Sequence, residues 1–416
     1  MTRRIRIAII GGGLAGTLMA NCLSRKAASI DVQVYESAPE FSDRGYGIGL
    51  SRFALQALEQ IIPGASDMLK SNAGAVKTGA SRIAIGSGPG AGTVVCDIEG
   101  DEGLAMTRGP LVRMLLSLLP HGILHSGKKV MSIAQADNVN ITFEDGTVAS
   151  FDAVIGADGM SSAVRKYVLQ EAAEYNASPI GAWECRNLVP VDNAKAALGA
   201  ESLQVDREYC WAGEDGFMMH ALVENGTKVQ CIVTAHENES PKDRKLQITR
   251  EVLESSIGKT WFDGTVARGM IDLILDQENP IAYSIWEHRF TPTYARGRAC
   301  IIGDAAHTTS PYQGAGAGMA IEDALVLGTL LSKISSVNEL EAVFKAFDTV
   351  RRPRCQAIID TSRATGQLLC GHNPKIGVDA TSMAAELGRL FDHIDSLDIE
   401  DHKGLALEEL KKYVKN

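Results

Sequence analysis

Three separated segments carry residue types that could bind a phosphate-bearing cofactor. Gly303-Asp304-Ala305-Ala306-His307 follows the apolar run Ala299–Ile302, continues through Pro311 to the glycine-rich stretch Gly314–Gly318, and leads into an apolar stretch of helical spacing, Met319 to Leu331. An acidic residue at a strand end, then small residues, then a helix start suits the hydroxyls and phosphates of a polar ligand. Gly11-x-Gly13-x-x-Gly16 lies between a β-branched run and a helical one. There the first glycine allows a tight turn, the second lets a pyrophosphate approach the backbone, and the third lets helix and strand pack closely. Glu36, twenty residues past Gly16 at the end of a second strand, suits a ribose hydroxyl pair. The third segment is Asp152-x-x-x-Gly156-Ala157-Asp158-Gly159-x-x-Ser162-x-Val164-Arg165, a strand, a turn and a helix that Ser161 or Ser162 could cap. His307 is the obvious base, yet its setting reads as packing or hydrogen bonding within the loop.

The elements that position these segments follow from periodicity. Arg4–Ile10, Leu14–Arg25 and Asp31–Tyr35 read as a β-α-β unit with parallel strands. Leu50–Ile62 and Arg108–Leu119 are amphipathic helices, and Ser71–Gly103 resembles an excursion into a second unit. Asn140–Phe143 and Val148–Val154 flank an Asp145-Gly146 tight-turn signal. From Trp183 to Tyr283 extended runs suggest an antiparallel sheet, and after Met319 the chain reads as mostly helical. The expected class is α/β: a Rossmann-type dinucleotide-binding domain in three parts (1–70, 104–180 and 286–335), interleaved with a substrate domain (71–103 and the antiparallel sheet 181–285), and a helical C-terminal segment, 336–416.

Composition excludes several functions. With 45% hydrophobic and 22% charged residues the 416-residue chain is ordinary globular, and its net charge of -10 argues against a nucleic-acid surface. Eight scattered cysteines without C-x-x-C spacing read as reduced thiols rather than a disulfide frame or a metal site. The apolar start mimics a signal peptide, but glycines 11, 12, 13 and 16 interrupt it, so a soluble, cytoplasmic protein without stable membrane association is expected. Whether it is a monomer or a homodimer stays open.

The three segments in this order resemble the single-component FAD-dependent aromatic hydroxylases, the flavoprotein monooxygenases typified by para-hydroxybenzoate and salicylate hydroxylases. The resemblance covers nearly the whole chain. It implies that Gly11, Gly13, Gly16 and Glu36 bind the ADP half of FAD, and that Arg108 reaches the phosphate region. Asp158 and Gly159 would link FAD with transient NADPH or NADH binding. Asp304 would hold the ribityl chain and pyrophosphate, with Gly314, Ala315, Gly316 and Ala317 bordering the flavin ring. Where many relatives carry an arginine after the ribose acid, this chain has Ser42, and Arg44 stands beside Gly45-Tyr46-Gly47. Either Arg44 and Gly47 take over the flavin contact, or the flavin's swing is tuned differently.

The implied reaction is reduction of FAD by NAD(P)H, addition of O₂ to give a flavin hydroperoxide, and attack by an electron-rich ring. It needs water excluded and the phenolate form favoured. In Trp183-Glu184-Cys185-Arg186-Asn187-Leu188, alternation puts Glu184 and Arg186 on one face. From the residues alone, Arg186 either pairs with Glu184 at a surface edge or faces a pocket. Relatives that dearomatise resorcinol-like aldehydes place an arginine in a similar strand to anchor the phenolate. Their His-Tyr-Pro strand matches His220-Ala221-Leu222 here, so the tyrosine is missing, and His220 or Tyr209 is the candidate to replace it. Pro311 and Tyr312 would cap the flavin edge, and Trp286 and His288 could line the pocket floor. Arg351-Arg352-Pro353-Arg354 is a family pattern too, but reads as a solvated helix turn with the proline starting a new helix. The expected activity is hydroxylation of a small phenolic, polyketide-derived in one reading. Decarboxylating hydroxylation of the salicylate type, epoxidation, and a non-oxygenating flavin reductase or binding protein are the alternatives.

Overall fold

The computed structural model describes residues 3–415 apart from 42–44, 46, 205 and 238, with backbone alone at 99–101, 206, 393 and 395. Two sheets divide the work of the molecule. The first has six strands in the order Ala295–Arg296, Ala299–Ile301, Ala153–Gly156, Ile5–Ile10, Ile30–Tyr35 and Leu124–His125. All its pairings are parallel except that of the first two strands. Ile5, Ile7, Ile9 and Ile10 are fully buried in the central strand, because helices cover both faces of such a sheet. The helix Leu14–Lys26 lies against Gly316–Leu331, a helix buried along most of its length.

The second sheet has nine strands, in the order Lys245–Gln247, Ile281–Glu287, Ser178–Pro190, Lys228–His236, Gly216–Val223, Asp206–Gly213, Val76–Ile85, Val94–Thr107 and Gly47–Leu50. It is antiparallel apart from the pairing of Asp206–Gly213 with Val76–Ile85. One face packs on the helices Val191–Leu198 and Thr265–Leu275 around Trp183, Cys185, Met218, Cys231 and Trp261. The other face meets the C-terminal helices through Ile83, Ile85, Ala212 and Phe217, which pack with Leu368, Leu369, Met383 and Leu387. The architecture is therefore α/β, a Rossmann-type domain interleaved with a largely antiparallel sheet, with a helical C-terminus.

Three local expectations need correction. Val148–Val154 is not one strand: Val148–Phe151 ends a three-stranded sheet, and Ala153–Gly156 enters the parallel one. The break is at Asp152, whose buried carboxylate accepts from the Arg6 amide (2.7 Å) and pairs with Arg3. Gly47–Leu50, inside the stretch assigned to the first dinucleotide-binding part, hydrogen-bonds in the larger sheet. Pro353 starts no helix. It lies inside the thirty-residue helix Leu340–Leu369. Among the described residues no helix is long and apolar enough to cross a membrane, and all eight cysteines are free.

Candidate functional site

The carboxyl ends of four parallel strands bring the three segments together, the usual place for a ligand in an open α/β sheet. Ile10 leads into Gly11, Tyr35 into Glu36, Gly156 into Ala157, and Ile301 towards Gly303. The Ala157 amide donates to the Ile10 carbonyl (2.7 Å), and the Ile302 amide to that of Gly156 (2.9 Å). Gly11 has φ +108°, and a Cβ there would lie 2.2 Å from the Ala157 carbonyl oxygen. A Cβ on Gly303 would sit 2.6 Å from the Ala15 side chain. The glycines are thus the points where the segments touch.

Charged groups surround this junction. Glu36 accepts from the Gly12 amide (2.7 Å) and the Ala38 amide (2.8 Å), holding the fingerprint turn against the second strand. Arg108 opens the helix Arg108–Ser117, and its Nη2 lies 3.2 Å from where a Gly13 Cβ would be. Its exposed guanidinium has no hydrogen-bond partner among the described residues. Asp304 is exposed while Gly303, Ala305, Ala306 and His307 around it are buried, and its carboxylate is likewise unpartnered among the described residues. An unused cation beside a glycine cradle, an unused carboxylate, and the side-chain-uncapped start of the Leu14–Lys26 helix form a donor set that fits a dinucleotide diphosphate with its hydroxyls. Ser42 and Arg44 lie outside the described residues.

The second segment is built around a helix start. The Asp158 carboxylate accepts from the Ser162 hydroxyl and from the amides of Ala163 (2.7 Å) and Val164 (3.3 Å), so it caps the helix Ala163–Val168, with Ser162 at the N-cap. Gly159 follows at φ +74° with open space around it. Arg165 is the residue whose importance the sequence reading missed. Fully buried, it donates to the carbonyls of Ala305 and Ala306 (3.0 Å each), to that of Tyr175 (2.7 Å) and to the Thr291 hydroxyl (2.9 Å). It ties the second segment to the third. Burial lowers its pKa to about 10, still high enough to keep it charged at neutral pH.

Behind the third segment lies a buried ionic cluster. His307 Nε2 is 2.6 Å from Asp323 Oδ2, which also accepts from the Gly303 amide (2.9 Å). Arg351 donates to Asp323 (2.8 Å) and Glu322 (2.6 Å), and Arg354 clasps Glu322 at 2.9 Å through two nitrogens. Burial alone would depress His307, but the neighbouring Cys355 and Asp323 hold it well above the ordinary histidine range. His307 is therefore a hydrogen-bonded anchor of the loop. The expected solvated turn at Arg351–Arg354 is corrected: Arg351 is 0% exposed. His307, Asp323 and Cys355 lie close enough together to hold a metal ion, within 4.8 Å. The Arg351 guanidinium takes that place, contacting both Asp323 and Cys355 (3.4 Å).

On the substrate side, register separates the candidates. Arg186 pairs across the sheet with Ile232, and Glu184 with Thr234, which in turn pair with Met219 and Phe217. These residues share the face turned towards the first domain, where Arg186 Nη1 reaches the Gly47 carbonyl (3.5 Å) and Gln230 accepts from the Gly47 amide. His220 pairs with Cys231 and Tyr209, on the helix-covered face. The expectation that His220 or Tyr209 enters the pocket beside Arg186 is corrected. His220 is fully buried, its Nε2 2.7 Å from the Ser202 carbonyl, its Nδ1 accepting from Trp211 (3.4 Å), its ring stacked on Tyr209 at 5.1 Å.

Pro311–Gln313 form one helical turn whose Tyr312 ring packs on Gly366 and edge-on against Phe217 (6.1 Å). Gly314 follows at φ +61°, then Ala315 at the N-cap of the helix that begins with Gly316 and Ala317. His288 does not line the floor. Fully buried, it accepts the Thr308 amide (3.2 Å) and backs the third segment. Trp286 lies under the Arg244 guanidinium, 5.6 Å from its ring centre. Tyr312 and Gly366 also border an open cavity with Ala182, Glu287 and Arg363.

Comparison with known proteins gives matches along the whole chain. Residues 138–362 match the family model described as FAD binding domain. A 6-methylsalicylate 1-monooxygenase of Aspergillus terreus is 32% identical over 96% of this chain and 91% of its own length. A salicylate hydroxylase of Pseudomonas putida is 29% identical over 95% of this chain and 93% of its own. A solved salicylate hydroxylase substrate complex superposes with a TM-score of 0.82 at 24% identity, covering 97% of this chain and 98% of that one, a likeness of fold. The family model begins beyond Gly11, Glu36 and Arg108 and so does not cover them.

Proposed function

Because the chain belongs to the FAD-dependent aromatic monooxygenases of the salicylate hydroxylase type, we propose that it hydroxylates a small phenol using NADPH or NADH and O₂. The observation that carries this reading is that Arg108 and Asp304, both without a side-chain partner among the described residues, lie at the junction of three segments, with Arg186 facing that domain from the second sheet. In this reading Gly11, Gly13 and Gly16 with Arg108 hold the diphosphate of FAD, Glu36 its ribose, and Asp304 the ribityl hydroxyls. Bound FAD supplies two-electron acceptance from the nicotinamide and the activation of O₂, one oxygen atom going to the ring and the other to water.

The protein's own part is orientation and electrostatics. The loop Gly314 to Ala317 lets backbone approach a flat ring, and the Gly316–Leu331 helix turns its positive end to that place. Such an end stabilises neighbouring negative charge by about 0.5–2 kcal/mol. Pro311 and Tyr312 exclude water at the ring edge. Arg186 donates to the substrate's phenol oxygen and favours electron density in the ring to be attacked. Two relatives named for salicylates support a monocyclic phenolic, and their names also favour decarboxylating hydroxylation as a second reading. Arg186→Ala should keep its FAD but uncouple: NAD(P)H is still oxidised while product per NAD(P)H falls at least about tenfold and H₂O₂ takes its place. Normal coupling in this variant would remove Arg186 from the reading.

A further inference from the structure

The Arg186 face carries a second charge whose sign matters. Alternation along Ser178–Pro190 puts Ala182, Glu184 and Arg186 on the side turned to the first domain. Arg186 Nε donates to the Glu184 carboxylate, and the two side chains are only 21% and 14% exposed. The residues that register places around them, Phe217, Met219, Ile232 and Thr234, carry no charge. Burial, reinforced by Cys370 and by the charge of Glu184, holds the Tyr312 phenol well above its ordinary range, so it stays neutral and Glu184 lies within its electrostatic reach. Among the described residues of that register, the Arg186–Glu184 pair balances its own charge before any substrate arrives.

A balanced wall treats two kinds of ligand differently. A phenol enters uncharged, donates its O–H to Glu184 and accepts from Arg186, so the net charge stays zero and every polar atom keeps a partner. A benzoate brings a second carboxylate to a cation that already has one. It must share Arg186 with Glu184 or displace it, and either leaves a half-buried anion poorly compensated. Selectivity built by such a repulsive element costs little for the right ligand.

We propose that Glu184 is a specificity-determining residue that selects uncharged phenols, such as acyl-, aldehyde- or amide-bearing ones, over ring carboxylates. The proposal rests on the reading that this cleft takes an aromatic substrate, and it refines that reading against the decarboxylating alternative. The test uses the FAD-loaded enzyme and an isosteric pair, salicylamide and salicylate, titrated at pH 7.5 with affinity read from the perturbed flavin spectrum. The wild type should bind salicylamide at least about tenfold tighter, and Glu184→Gln should bring the two within about threefold, chiefly by tightening salicylate. A wild type that prefers salicylate overturns the proposal whether or not the variant folds. So does a Glu184→Gln variant whose preference is unchanged. If neither ligand nor any other phenol perturbs the flavin, the aromatic reading itself falls and the proposal with it, a pattern distinct from reversed preference.

Discussion

His220 and Arg186 belong to neighbouring parts of one sheet and face opposite sides of it, and that single-residue difference sets what each can do. His220 is sealed on the helix-covered face, where burial lowers its pKa from 6.5 to about 4. Burial likewise depresses His288 to about 3 and His402 to about 4. The unfolded chain binds these protons near pH 6.5 and the folded chain resists them, so stability rises with pH between about 4 and 6.5 and is lost on acidification through that window. His220 alone should account for on the order of 3 kcal/mol of it, at about 1.4 kcal/mol per pKa unit. Chemical denaturation at pH 4.5 and 7 should show a smaller acid loss in His220→Gln than in the wild type. Equal loss in both would mean that His220 is not titrating as a sealed neutral ring. In sequence, alternation told that Glu184 and Arg186 share a face. It could not tell that His220 faces the other way, because that depends on pairing register rather than on spacing within one strand.

At the scale of elements, the thirty-residue helix Leu340–Leu369 and the Gly316–Leu331 helix are joined by buried charge. Glu322 and Asp323 sit in an otherwise apolar helix, and Arg351 and Arg354 answer them from the next one. The signal was present in the sequence as two acids inside a buried stretch, which require cationic partners. Pairing them to Arg351 needed the helix crossing, and Pro353 wrongly suggested a break there. The same limit hid Arg165, whose charge was visible but whose partners are carbonyls 140 and 141 residues away. Removing one member of such a cluster strands the others. Arg351→Met should cost about 3–5 kcal/mol in denaturant unfolding and lower the flavin-to-protein ratio on purification, because Asp323 also holds the Gly303 amide. A loss below about 1 kcal/mol, the range of exposed pairs such as Arg389–Glu386, would contradict the anchoring role.

The whole molecule sets a largely parallel-sheet domain, whose strand-end loops converge on the three-segment junction, against the face of a larger sheet that carries Arg186 and Glu184. The first domain was readable in the sequence because each of its segments is local: a strand end, a few small residues, a helix start. The proposed substrate cleft was not, because Arg186 meets Gly47 and Phe217 meets Tyr312 only through folding. The central claim concerns what happens in that cleft, and isotope incorporation tests it most directly. FAD-loaded enzyme is given NAD(P)H, ¹⁸O₂ and an uncharged phenol that accelerates flavin reduction. Expected is a hydroxylated product with one ¹⁸O atom per molecule and about one NAD(P)H consumed. NAD(P)H oxidation that returns all the label as hydrogen peroxide, with no oxygenated ring for any phenol tried, would contradict it.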